Sequence, residues 1–329
     1  MDIHRQIDRL PPSARGAVVA IGNFDGVHLG HQAVIGHARA EAAAAKAPLA
    51  VMTFEPHPRA FFQPATPPFR LTPAAAKARE LAALGVEHLY EIAFDRDFAM
   101  RTASDFVAGV LARDLAATAA VVGDDFHFGR GREGNLTFLE REAPAHGVRV
   151  VRAPPVSLDG VQVSSRRIRE HLARGDLDAA ARLLGRRWQM EGAVVHGDKL
   201  GRTLGYPTAN LDLGDMLRPR VGVYVVEALI DGESAWRGGV ASLGYRPTVG
   251  GRDLRFEVHL FDFAGDLYGR NLRVRPVAYL RDELVLDGLD ALVRKMQEDE
   301  RDARVVLARV SAGASHSNKD SRPARSGGH

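Results

Sequence analysis

The chain has 329 residues and not one is cysteine. Disulfides, thiolate metal sites and a cysteine nucleophile are therefore excluded, and the composition fits a reducing, cytoplasmic compartment. No stretch reaches the roughly 18 consecutive apolar residues of a transmembrane helix. The opening MDIHRQIDRL is too polar for the core of a signal peptide, so no membrane partner is expected. Charge of one sign is scarce: 44 Lys and Arg against 41 Asp and Glu leave a net +3, too little for a protein that coats nucleic acid. The phosphate-binding pattern G-x-x-x-x-G-K-[ST] is also absent, so any nucleotide must be held by another cradle. What is present is ordinary for a globular protein. With 45% hydrophobic and 26% charged residues, the chain is not largely disordered. At roughly 100–200 residues per domain, the length predicts two or three domains.

Two architectures follow one another. Up to about residue 184, short apolar runs alternate with helical patterns. Strands are predicted at Ala17–Ile21, Leu49–Thr53, His88–Ile92, Ala119–Gly123 and Val148–Arg152. Helices are predicted near Gly30–Lys46, Pro73–Leu84, Ser104–Arg113, Asn135–His146, Ser165–Arg174 and Leu177–Leu184, with Thr72 as an N-cap. That alternation predicts an α/β domain, a parallel sheet with helices on both faces. After Gly185 the period changes to two. Leu254, Phe256, Val258 and Leu260 share one face of a strand, while Arg255, Glu257, His259 and Phe261 share the other. Further runs at Val221–Ile230, Trp236–Leu243 and Leu272–Leu280, separated by Gly-rich turns, predict a small antiparallel β-barrel. A closing helix follows, with Leu289, Leu292, Val293 and Met296 at i, i+3, i+4, i+7. The division predicted is residues 1–184, residues 185–310, and a polar, aperiodic tail at 311–329 that reads as disordered.

Two loops carry candidate chemistry. Residues 22–32, GNFDGVHLGHQ, follow an apolar strand and open a helix. Ligands bind beyond the carboxyl ends of parallel strands, and helix N-terminal amides favour anions such as phosphate. His28 and His31, three apart, can donate hydrogen bonds to phosphate oxygens there, and Gly30 lets backbone approach a ligand closely. Two surface histidines on a turn is the bland alternative. Downstream, Ser164, Ser165 and Arg169 in VSSRRIRE combine hydroxyls, helix-start amides and a guanidinium into an anion site, against the plain reading of a basic helix face. Glu55 and His57 in TFEPHP suggest a metal, but the flanking prolines fit a rigid pocket wall better. The second loop lies in residues 192–211, GAVVHGDKLGRTLGYPTANL. Gly197, Gly201 and Gly205, with Lys199 and Arg202, suit a phosphate-wrapping loop. Thr208 and Asn210 are hard oxygen donors suited to Mg²⁺ shared with ATP phosphates. A long barrel loop ending in a strand is the alternative.

The string GNFDGVHLGH, with H-x-G-H inside it, resembles the bifunctional bacterial riboflavin kinase/FAD synthetase family. The blocks TFEPHP, VVGDDFHFGRGREGN at 121–135 and VSSRRIRE follow in that family's order, and GYPTAN at 205–210 resembles its kinase hallmark. The resemblance covers residues 16–309. It implies a Rossmann-like nucleotidylyltransferase domain joined to a kinase barrel, with ATP as co-substrate, Mg²⁺ as cofactor, and riboflavin, FMN and FAD as substrates and products. By resemblance, His28 and His31 contact ATP phosphates, while Gly22, Asn23, Phe24, Asp25 and Gly30 shape that pocket. Asp125, Phe126 and Phe128 sit by FMN and the nucleotide. Ser164, Ser165 and Arg169 bind phosphate. In the barrel, Thr208 and Asn210 hold Mg²⁺, and Gly197, Arg202 and Gly205 cover ATP. Glu257 is the catalytic glutamate, and Arg281 and Glu283 begin a flavin-side loop. Arg166 stands where the family has Thr or Ser, and Val285-Leu286 replaces its Lys-Phe. Two other readings remain open on the sequence: a lone riboflavin kinase with a degenerate adenylyltransferase domain, and a flavin-sensing regulatory module.

Overall fold

A computed structural model describes residues 1–197, 201, 204–248 and 251–317. The chain clusters into two compact units, Met1–Arg169 with Arg182–Gly185, and Glu170–Ala181 with Arg186–His329.

The elements of the first unit are β1 (Asp2–His4), β2 (Val18–Ile21), α1 (Leu29–Ala45), β3 (Leu49–Glu55), α2 (Ala74–Ala83), β4 (His88–Ala93), β5 (Ala119–Gly123), α3 (Leu136–Glu142) and β6 (Arg149–Ala153). A π-type helix, Phe106–Asp114, precedes β5. The six strands form one parallel sheet in the order β1-β4-β3-β2-β5-β6. Alternate residues of each strand feed two cores. Val18, Ala20, Val51, Leu89 and Val121 pack on one face. Val19, Ile21, Met52, Tyr90 and Val122 pack on the other. Both faces being covered, the strands read as continuous apolar runs rather than alternating ones. The strand order turns back between β2 and β5, which places a crevice beyond their carboxyl ends.

Strand β1 has no counterpart in the sequence reading. Its three residues, Asp2, Ile3 and His4, form an edge strand only because β4 offers a partner, with Asp2 beside His88 and His4 beside Tyr90. Thr72 does not cap α2 as expected. Its hydroxyl accepts the Gly26 amide at 2.7 Å, and Pro73 takes the cap position without a side-chain bond.

Two helices follow, α4 (Ser165–Arg174) and α5 (Leu177–Leu184). The second unit differs from the expected start at residue 185, because Glu170–Ala181 cluster with it. The Arg220 amide donates to the Leu172 carbonyl, and a Cβ at Gly175 would lie 3.2 Å from the Arg220 side chain. The barrel strands are β7 (Met190–Val195), β8 (Ala209–Asp212), β9 (Gly222–Ile230), β10 (Arg237–Thr248), β11 (Gly251–Leu260) and β12 (Asn271–Arg281). They close in the order β7-β8-β11-β10-β9-β12, every pair antiparallel. Phe256, Val258 and Leu260 are buried, so the period-two face points into the core.

The closing helix α6 (Gly288–Ser317) continues past Ser311, where the sequence reading begins a disordered tail; residues 318–329 lie outside the described residues. Of the expected stripe, Leu292, Val293 and Met296 are half-buried. Leu289 is exposed, whereas Ala303, Val306, Leu307 and Val310 pack against Val225, Phe261 and Val277. The apolar spacing continues about four turns past Met296, to Val310, and the barrel core includes that later part. Among the described residues, no helix is long and apolar enough to cross a membrane.

Candidate active sites

The first site grows from the turn after β2. Phe24, Gly26 and Val27 have φ of 50°, 94° and 43°, left-handed conformations that cost energy outside glycine. Buried contacts hold them. Asp25 is 3% exposed, and its Oδ1 accepts the backbone amides of Leu71 and Thr72 at 2.9 and 3.1 Å. Arg169 donates to its other oxygen at 2.6 Å, and Ser165 Oγ donates to its carbonyl at 2.8 Å. The turn therefore joins the start of α4 to the segment before α2.

His28 is the N-cap of α1. Its Nδ1 accepts the His31 amide at 3.3 Å. In the neutral ring that acceptance leaves the proton on Nε2. The imidazoles of His28 and His31 stack with centroids 3.6 Å apart, and Phe24 meets His31 edge-on at 5.2 Å. The two histidines are thus one stacked unit over the helix start, where amides and dipole favour an anion. A Cβ on Gly30 would come within 3.1 Å of the His28 ring, so glycine keeps that ring in place. Gly22 precedes the turn. Asn23 has an exposed side chain, while its carbonyl accepts from the Thr53 hydroxyl at 3.1 Å and from Lys77 at 3.3 Å.

Beneath the turn lies a charged cluster that the sequence reading missed. Arg70 grips Glu55 with two bonds of 2.7 Å, and Lys77 meets the same carboxylate at 2.7 Å while donating to Thr53 at 2.8 Å. Burial pushes the Glu55 carboxyl up, but the hydrogen bond from Arg70 and the charges of Lys77 and Arg70 outweigh it and hold it below its ordinary range. His57 caps a one-turn helix through its bond from the Arg59 amide and meets Phe69 edge-on at 5.1 Å. Burial and then the nearby cations Arg70, Lys77 and Arg169 push the His57 imidazole down to about 4, so it is neutral at pH 7. That environment of cations fits a pocket wall and opposes a metal. A signal for Lys77 does exist in the sequence: it shares the buried face of α2 with Ala78 and Leu81.

Asp125, Phe126 and Phe128 leave the carboxyl end of β5, the strand beside β2. Asp125 is exposed and Phe126 half-buried, whereas Phe128 belongs to the core, 5.0 Å from Phe106 and stacked under Phe126 at 5.2 Å. Phe128 therefore backs Phe126 rather than facing a ligand. Ser164 Oγ accepts the Arg167 amide at 3.4 Å. Arg169 is turned inward to Asp25 and the Phe69 carbonyl, which leaves Arg166 and Arg167 as the exposed cations of the first turn of α4.

In the second unit, the pairing of β8 with β11 sets Asn210 directly opposite Glu257. Thr208 Oγ1 donates to Glu257 Oε2 at 3.4 Å. Asn210 Oδ1 is buried and, among the described residues, nothing donates to it. A Cβ at Gly197 would overlap the Asn210 carboxamide, so this glycine permits the side chain's position. Gly205 turns the chain at φ +83° just before Tyr206-Pro207-Thr208. A cavity of about 320 Å³ beside the group is lined by His196, Asn210, Asp212, Arg218 and Arg255, among others. Arg202 lies outside the described residues. Of the expected flavin-side pair, Arg281 is bound by the buried Asp299 of α6 at 2.6–3.1 Å. Glu283 is exposed, its carboxylate where a Gly244 Cβ would stand. Trp188 is buried, and Tyr206 lies 5.1 Å from the His259 ring.

A parallel sheet with a histidine-capped anion turn at its switch point, followed by a closed barrel with an oxygen-donor group, defines a protein of the nucleotide-dependent group-transfer class. The comparisons narrow it. Residues 10–167 match the family model described as FAD synthetase, and residues 184–307 match riboflavin kinase. The chain is 44% identical over 309 residues to the bifunctional riboflavin kinase/FMN adenylyltransferase of Pseudomonas fluorescens, covering 94% of this chain and 98% of that one. It is 42% identical to the enzyme of the same name from Escherichia coli K12, covering 88% and 92%. A solved structure described as a macrolide-efflux protein from Streptococcus pneumoniae superposes with a TM-score of 0.79 at 35% identity, covering 92% of this chain and 98% of that one. The chain belongs to the bifunctional riboflavin kinase/FMN adenylyltransferase family. It is an enzyme with both domains, which supports the two-activity reading over a lone kinase or a sensing module.

Proposed function

We propose that the barrel unit phosphorylates riboflavin with ATP, giving FMN and ADP, and that the α/β unit adenylylates FMN with a second ATP, giving FAD and pyrophosphate. The observation that carries the kinase half is the β8–β11 register, which joins Glu257, Thr208 and Asn210 in one group. Glu257 accepts the proton of the ribityl 5′-hydroxyl as that oxygen attacks the γ-phosphorus. Thr208 and Asn210 would hold Mg²⁺; the buried Asn210 Oδ1 without a donor is the feature that fits a hard cation. Mg²⁺ would supply charge neutralisation at the ATP phosphates. Gly197 and Gly205 shape the loop over the nucleotide, and Arg202 is its expected cation.

In the α/β unit the attacking FMN phosphate is already anionic, so no general base is required. Catalysis is positioning and neutralisation. The His28 Nε2–H, His31 and the first amides of α1 hold the ATP phosphates and stabilise the leaving pyrophosphate. Asp25 and Asn23 shape the turn. Arg70 and Lys77 make the floor electropositive, and the Ser164 hydroxyl at the start of α4 adds a phosphate donor, while Ser165 ties that start to the turn through Asp25. Asp125 and Phe126 face the flavin side. Localisation to the cytoplasm follows from the chemistry of a soluble cofactor supply and the cysteine-free composition. The test is product analysis by HPLC after mixing riboflavin, excess ATP and Mg²⁺. FMN should form first and FAD follow. Accumulation of FMN with no FAD would refute the adenylyltransferase half.

A further inference from the structure

The amino end of the parallel sheet carries a group of donors that the nucleotide chemistry does not use. Asp2 and His88 are the first residues of β1 and β4 and lie side by side in register, with His4 two residues along β1. Adjacent side chains at i and i+2 on one strand share a face. His4 Nε2 lies 3.2 Å from His88 Nδ1, and His88 Nδ1 lies 3.7 Å from Asp2 Oδ2. One ligand atom from each of the three residues falls within 4.8 Å of the others. This is the opposite end of the sheet from Ile21 and Glu55, whose strands lead into the adenylyl-transfer turn.

We propose that Asp2, His4 and His88 form a binding site for a divalent transition cation of the Zn²⁺ type, which staples β1 to the sheet. Zn–N bonds of about 2.0–2.1 Å at tetrahedral angles place two ligand nitrogens roughly 3.3 Å apart. The observed 3.2 Å matches that spacing, and the 3.7 Å carboxylate contact closes by a small side-chain rotation. Two imidazoles and one carboxylate are a borderline donor set, which selects Zn²⁺-like ions over Mg²⁺. The nearest cation in sequence, Arg5, is taken up by Glu91 at 2.7 Å. Asp2 and His4 retain solvent exposure, so water completes the coordination and gives the ion a route in. Strand β1 has only three residues, and a cation bridging both strands would tie down an edge that backbone pairing alone holds weakly.

The test uses the full-length chain stripped with chelator and titrated with Co²⁺ at pH 7.5, then displaced with Zn²⁺. One equivalent should bind with the visible bands of a four- or five-coordinate ion, and the exchange of the β1 amides should slow. His4→Ala changes a partly exposed edge residue and should leave the fold intact, with the far-UV circular dichroism spectrum and the thermal midpoint of the α/β unit as the check. It should weaken binding by more than the roughly 10–100-fold that loss of an outer-shell partner costs. His88→Ala should do the same, and the surface control His37→Ala should change nothing. Absence of a stoichiometric site in the unsubstituted chain overturns the proposal. So does a site that survives both His4→Ala and His88→Ala, because the ion would then be held elsewhere.

Discussion

The two anion-handling regions solve one problem by opposite means. The α/β site is built from the protein's own charges, already paired: Asp25 with Arg169, and Glu55 with Arg70 and Lys77, under two stacked histidines. The barrel site offers oxygens instead, from Thr208, Asn210 and Glu257, one of them buried without a donor. A network with its charges satisfied is rigid before the ligand arrives. On the proposed function, the oxygen group would be completed by a cation and its nucleotide. The difference explains why strained backbone gathers in the first site: Phe24 and Val27 are held at positive φ by the buried Asp25 turn, whereas the barrel group sits on regular strand pairing.

Substitutions at each site separate the two arrangements. The largest effect belongs to Glu257→Gln, which should cut FMN formation by roughly 10²–10⁴-fold, the usual worth of a general base. FAD formation from supplied FMN should be unchanged in the same preparation; loss of both activities in a folded variant would mean the sites are not separate. His31→Ala is the mirror experiment. It should slow FAD formation by about 10²–10³-fold, the cost of one preorganised donor, and spare the kinase. Asp25→Ala tests the preformed network itself. Removing one partner of a buried pair costs about 3–5 kcal/mol, so the urea midpoint of the α/β unit should fall sharply while barrel kinase activity persists. Asn210→Ala should act more mildly, raising the Mg²⁺ concentration for half-maximal kinase rate by about tenfold if that oxygen is a ligand.

A pH dependence is also expected of the α/β unit. His57 is depressed to about 4 in the fold. The unfolded chain therefore binds a proton that the folded chain refuses between the ordinary histidine range and pH 4. The stability it contributes is complete above about pH 6.5 and falls as the pH drops toward 4. Glu55 has the same sign lower down, its contribution fading as the pH falls below the ordinary glutamate range. Thermal melts from pH 7 to 4 should show this loss, and His57→Gln should flatten the upper part of it.

Much of this was readable in advance, for identifiable reasons. Five of the sheet's six strands, β2 to β6, and the helices between them follow from apolar period and turn residues, which are local. The inward face of β11 follows from strict alternation, which leaves Glu257 on the other face. The partners that the sequence does not reveal are non-local. Thr72 reads as a helix cap, yet its hydroxyl serves Gly26, 46 residues away. Arg281 reads as a ligand-side cation, yet Asp299 of the closing helix takes both sides of its guanidinium. Phe128 reads as a pocket aromatic, yet Phe106 and Phe138 flank it in the core.

The order of elements, the change of period near residue 185, the glycines and histidines of the anion turn and the glutamate's place on its strand were all settled by the amino-acid string. Periodicity and backbone freedom act over a few neighbours. Which charges neutralise one another was settled only by tertiary structure. A buried carboxylate takes whatever cation the topology brings within 3 Å, and for Asp25 that cation, Arg169, is 144 residues away.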